Sequence, residues 1–154
     1  MDKTRVMIEF AVVGDDFDIT AVTEKLQVTP SKYGKKEDAI KKRQQKNLSP
    51  TGYEQTSWVF KTDYEESINA DRQLTKLVDL FKPKIPILKT IANIYNVEFA
   101  VNIVIEIYNN DIPSIYFNST FIEFIHEIGA EVDIDLYILW QIQRPWLGLI
   151  YLAF

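Results

Sequence analysis

Two stretches of strict alternation constrain the fold of this chain more than any other feature. Val97, Phe99, Val101, Ile103, Ile105 and Ile107 are all apolar, while Glu98, Asn102 and Glu106 between them are polar. Val132, Ile134, Leu136, Ile138 and Trp140 repeat the pattern against Asp133, Asp135 and Tyr137. A period of two sends successive side chains to opposite faces, so each stretch predicts a strand with one apolar and one solvated face. A sheet of such strands needs helices over its apolar face only.

The remaining segments supply those helices and further strands. A β-rich run begins at Arg5 and stops at Gly14-Asp15-Asp16. Asp18 is placed to cap a helix carrying Ile19, Val22 and Leu26, because its carboxylate accepts from free N–H groups of the first turn. Residues 56–62 predict a strand with Trp58 and Phe60 on one face. Over residues 69–81 the spacing of Leu74, Leu77, Val78 and Phe81 predicts an amphipathic helix. A second helix is expected from Pro86, burying Ile87, Ile91, Ile94 and Tyr95. Asn109-Asn110-Asp111 predicts a turn, with residues 114–117 returning as a short antiparallel strand. Thr120 and Glu123 fit a capping box for a helix that buries Phe121, Phe124, Ile125 and Ile128 and ends at Gly129. The expectation is an α+β protein, a single domain over residues 1–154. Its sheet is mostly antiparallel, with about five strands, helices on one face and split βαβ, ferredoxin-like elements in the second half.

Charge is distributed unevenly. Residues 90–143 hold eight carboxylates and no Lys or Arg, whereas seven basic residues lie between positions 32 and 46. Residues 31–55 read as a long basic surface loop, with Lys35, Lys36, Lys41, Lys42 and Arg43 at its centre. The net charge of −5 repels phosphate backbones and argues against a nucleic-acid partner. The absence of cysteine removes thiol nucleophiles, disulfides and thiolate metal sites. The first residues show no apolar signal core, so a cytoplasmic protein is expected. Residues 141–154 form an apolar tail that is too short for the roughly twenty residues of a membrane span. They are expected to pack as a core or edge strand, or to join two copies as a homodimer.

No dinucleotide, phosphate-loop, nucleophile-elbow or zinc-protease motif is present, and no cofactor or metal is expected. The single histidine, His126, reads as a helix-surface residue. Three groups remain as candidates. Glu98, Asn102, Glu106, Asp133, Asp135 and Tyr137 share the solvated side of two strands and form a candidate acidic binding face. Asp15, Asp16 and Asp18 form a second cluster, for which capping and turn chemistry are the simpler account. The basic stretch is the third. The favoured reading is a non-enzymatic interaction module that binds a cationic protein partner through the acidic face, an immunity-type protein being one version. The alternative is a small-ligand or Mg²⁺-dependent enzyme, in which the two aspartate clusters approach to about 5–8 Å.

Several of these residues also occur in a recognisable order. Gly14-Asp15-Asp16-Phe17-Asp18, Leu26 with Pro30, Gly34, Ser57-Trp58 and Ile128-Gly129-Ala130, leading into Asp133-Ile134-Asp135-Leu136-Tyr137, resemble the bacterial family known as domain of unknown function 4279. The resemblance runs from about Val6 to Tyr137 and implies a small, single-domain, cytosolic α+β protein. It carries no established activity and therefore transfers no catalytic residue. The tail after Trp140 departs from the family pattern.

Overall fold

β1 spans Arg5–Gly14, and its even-numbered side chains Val6, Ile8, Phe10 and Val12 are fully buried beneath helices. Its odd-numbered side chains point to the other side of the sheet. The computed structural model describes residues 3–49, 54–67 and 69–139. After β1 come α1 (Ile19–Leu26), β2 (Lys32–Gly34), α2 (Lys36–Gln45), β3 (Thr56–Lys61), β4 (Glu65–Glu66) and α3 (Asp71–Phe81). A 3₁₀ turn (Lys82–Lys84), α4 (Ile85–Tyr95), β5 (Glu98–Tyr108), α5 (Ser119–Ile128) and β6 (Glu131–Leu139) complete the described chain.

The strands form one six-stranded mixed sheet in the order β2-β3-β1-β5-β6, with β4 pairing the start of β1. β1 runs antiparallel to both β3 and β5. β5 and β6 are parallel, which requires a crossover, and α5 provides it. The architecture is thus α+β in a single domain, with the β5-α5-β6 unit as its parallel element.

The core lies between this sheet and α1, α3, α4 and α5. At its centre Phe10 meets Phe81 and Phe99 at ring-centroid distances of 4.3 and 5.9 Å, and Phe60 meets Phe81 edge-on. Trp58 is fully buried and its indole N–H donates to Thr23 Oγ1 at 3.0 Å, which ties β3 to α1. Asp18 caps α1 as expected, accepting from Ala21 N at 3.0 Å.

Four local expectations need correction. Residues 31–55 are not a loop throughout, because they contain β2 and the ten-residue α2. That helix buries no side chain, so it carries no apolar period. Residues 114–117 form no strand, and only a single parallel bridge joins Asn69 to Ser114. α5 is capped by Asn118, whose side chain accepts from Phe121 N at 2.9 Å, and Thr120 is already the second residue of the helix. In α4 the buried residues are Leu88 and Ile91, whereas Ile87 and Ile94 are exposed. The helix therefore faces the sheet about one residue out of the expected phase. The apolar tail lies outside the described residues, and with it the expected core or edge-strand packing and the alternative dimer contact.

Candidate functional site

The side of the sheet opposite the helices carries no described helix over its centre. Register assigns its occupants strand by strand. On β5 they are Glu98, Ala100, Asn102, Val104 and Glu106, and on β6 Glu131, Asp133, Asp135 and Tyr137. β1 adds Arg5, Met7 and Glu9, β3 adds Val59 and Lys61, and β2 adds Lys32. All six residues of the expected acidic face therefore share this surface.

The face has an apolar floor. Met7, Val59 and Val104 are buried on it although no described helix covers them, and long charged side chains stand beside them on the same face. Those side chains neutralise one another. Glu9 accepts from Lys61, and from Lys32 at 3.3 Å. Burial pushes the Glu9 carboxyl up, but the hydrogen bond from Lys61 and the charge of Lys32 outweigh it and hold the group below the usual carboxylate range. Arg5 pairs with Glu106, and its guanidinium lies 4.6 Å above the ring of Tyr64. The hydrogen bond to Glu106 raises the Arg5 pKa. Burial, reinforced by the charge of Glu106, raises the Tyr64 hydroxyl in turn.

Towards β6 the neutralisation ends. Glu98, Glu131, Asp133 and Asp135 have no ion pair among the described residues. Asn102 donates through Nδ2 to Asp135 Oδ2 at 2.8 Å, while its Oδ1 is buried with no hydrogen-bond partner among the described residues. Among the described residues the only other such acceptor is Gln73 Oε1, on α3, so Asn102 is the one of the two on the open face. A depression of about 490 Å³ opens between these groups, with Met7 and Val104 below and Glu9, Lys61, Asp135 and Tyr137 around it. The expected acidic face is thus two surfaces. One half is balanced around Glu9 and Glu106; the other is an unneutralised strip along β5 and β6. Sequence periodicity had located the carboxylates but not the bases opposite them, since Arg5, Lys32 and Lys61 reach the face only through the register of β1, β2 and β3.

The two aspartate clusters do not meet. Asp133 and Asp135 lie level with Glu9 and Met7 of β1, six and eight residues from Asp15, which is roughly 20–26 Å at 3.3 Å per residue. A single site built from both has no geometric basis. Asp15 instead pairs with Lys36, at the start of α2, and its carbonyl accepts from Thr56 Oγ1 at 3.2 Å. Asp16, Asp18 and Lys35 line a separate depression with Phe17, Ile19 and Tyr95. The basic stretch and the first aspartate cluster are therefore neighbours at the end of the sheet, away from the acidic strip. Lys41 and Lys42 are exposed on α2, and Arg43 binds Glu54 and the carbonyl of Ser49. His126 is exposed on α5. No group of three metal-ligating side chains converges among the described residues, and no described helix is long and apolar enough to cross a membrane.

No curated protein and no solved structure matches the chain. A family model does, that of the Domain of unknown function (DUF4279), over residues 3–139. The match starts at the first described residue and stops at the last residue of β6. The chain belongs to the DUF4279 family.

Proposed function

We propose that this protein is a non-enzymatic binding module whose β5–β6 strip receives a cationic surface of a protein partner. One observation carries the proposal. Glu98, Glu131, Asp133 and Asp135 stand on one side of one sheet without a counter-charge among the described residues, beside carboxylates that the chain neutralises itself. Like charges two residues apart on one face of β6 repel one another, and their repulsion is relieved when a complementary surface docks. The unpartnered Asn102 oxygen adds a buried acceptor that an ammonium or guanidinium group satisfies once the side chain turns outward on docking. An immunity-type role, in which the strip neutralises a basic toxin, is the concrete form of this reading. The proposal also places the protein in a bacterial cytoplasm, the setting its family resemblance implies.

The test is capture of partners from a native lysate by the wild-type chain and by a Glu98→Lys/Asp133→Lys/Asp135→Lys variant. The wild type is expected to retain a basic protein that the variant loses, with retention falling as salt rises past the Debye regime of about 0.15 M. An identical set of captured proteins with unchanged salt dependence refutes the proposal.

A further inference from the structure

The registers of β1, β5 and β6 divide the open face into rows that run across the strands. Glu9, Asn102 and Asp133 lie in one row, and Arg5, Glu106 and Tyr137 in another. Between them Met7 and Val104 form a buried apolar row that ends at Asp135 on β6. The depression already described is therefore a trough with polar banks, an apolar floor and a carboxylate at one end. From Met7 to Asp135 it covers two strand spacings, roughly 10 Å.

The bases around the trough are already committed. Lys32 and Lys61 both pair with Glu9, and Arg5 pairs with Glu106. Asp135 is held through Oδ2 by the Asn102 amide, and its Oδ1 accepts no hydrogen bond among the described residues. Beside it stands the ring of Tyr137, which is 52% exposed and in no ring or cation contact among the described residues. Arg5 shows what such a combination holds. Its guanidinium pairs with Glu106 while lying 4.6 Å from the centre of the Tyr64 ring, so one carboxylate and one ring hold one guanidinium. Asp135 and Tyr137 offer the same two groups, two residues apart on one face of β6, with no guanidinium of this chain between them.

We propose that the trough takes an arginine side chain of the cationic partner, its stem along Met7 and Val104 and its guanidinium on Asp135 against the Tyr137 ring. This rests on the reading of the β5–β6 strip and adds to it the residue type that anchors the partner. The methylene stem of an arginine covers the apolar floor while its head stays polar. Its planar fork donates parallel N–H groups to a carboxylate, and it stacks on an aromatic face. A guanidinium is also more weakly hydrated than an ammonium, so it loses less on entering a half-buried site. A lysine covers the same floor but meets Asp135 only as a point charge. Glu131 and Asp133, exposed on the same strand, then steer the approach rather than anchor it.

The test titrates the isotope-labelled full chain with capped tri-arginine and tri-lysine peptides of equal charge, followed by NMR at backbone amides and at methyl groups. The arginine peptide is expected to bind about fivefold or more tightly, and to shift the methyl groups of Met7 and Val104 as well as the Asp135 amide. Tyr137→Ala, at an exposed side chain, should bring the arginine peptide to the level of the lysine peptide, while Tyr137→Phe, which keeps the ring, should preserve the difference. Asp135→Asn should weaken both peptides. Equal affinities, or shifts confined to Glu131 and Asp133, mean that charge alone is recognised; they overturn the arginine anchor and leave the strip reading standing. The absence of a saturable shift with either peptide overturns both.

Discussion

Asn102→Leu should separate stability from binding. Asn102 sits mid-strand in β5, where amide side chains are disfavoured, and its buried Oδ1 has no partner among the described residues. Leucine has a similar branched shape. The substitution removes a charge-assisted hydrogen bond to Asp135, worth about 1.5–3 kcal/mol, but Asp135 is only half-buried and regains water. It also removes an unsatisfied buried carbonyl, relieving about 1–3 kcal/mol. The new side chain packs beside Met7 and Val104, both already buried on that face, and partial burial adds about 1 kcal/mol more. The balance is zero to about 2 kcal/mol of added stability, a rise of up to roughly 8 °C in Tm for a chain of this size. Urea unfolding followed by circular dichroism measures it, and partner capture should weaken in the same variant. Stabilisation with loss of binding is the pattern of a side chain kept for function. A loss of more than about 1 kcal/mol would show that the amide holds the sheet together, and the reasoning about the open face would fail.

Other outcomes follow from single contacts. Thr23→Val leaves the buried Trp58 N–H unpaired and should cost about 1–3 kcal/mol in urea unfolding, whereas Thr23→Ser, which keeps the acceptor, should cost less. Gly14→Ala places a Cβ 2.9 Å from Val97 Cγ1 in a buried corner, and the forced shift should destabilise by about 1–3 kcal/mol. Glu9 is held below its ordinary pKa, so its ion pairs add stability that is fully present above about pH 4.3 and is lost as pH falls through the lowered value. Glu9→Gln should be less stable than wild type at pH 7, and the difference should shrink at acid pH in denaturant titrations.

The sequence was legible where one residue pattern had one cause. The alternation in β5 and β6 and the Asp18 cap belong to this class. α2 was hidden because nothing in it is buried. Its signals were electrostatic, with Glu37 and Asp38 in the first turn, Lys42 and Arg43 in the last, and Glu37–Lys41 and Asp38–Lys42 at helical spacing. The cap of α5 was misassigned because Asn118, Ser119 and Thr120 are all competent caps, and only tertiary packing selects Asn118. The acidic face was half legible. Period two placed its carboxylates on one side, but Arg5, Lys32 and Lys61 come from strands far away in sequence, and register alone brings them opposite Glu9 and Glu106. The separation of the two aspartate clusters has the same origin, since it depends on how β1 aligns with β5.

The most direct measurement of the central claim is an NMR titration of the isotope-labelled chain with a lysine-rich peptide, repeated with a glutamate-rich one. The strip account predicts saturable shifts with the lysine peptide alone, centred on the amides of Asn102, Asp133 and Asp135. They should be reduced in Asp133→Asn/Asp135→Asn and weaken with added salt. Shifts centred on Asp16 and Asp18 instead, or equal shifts with both peptides, would contradict it.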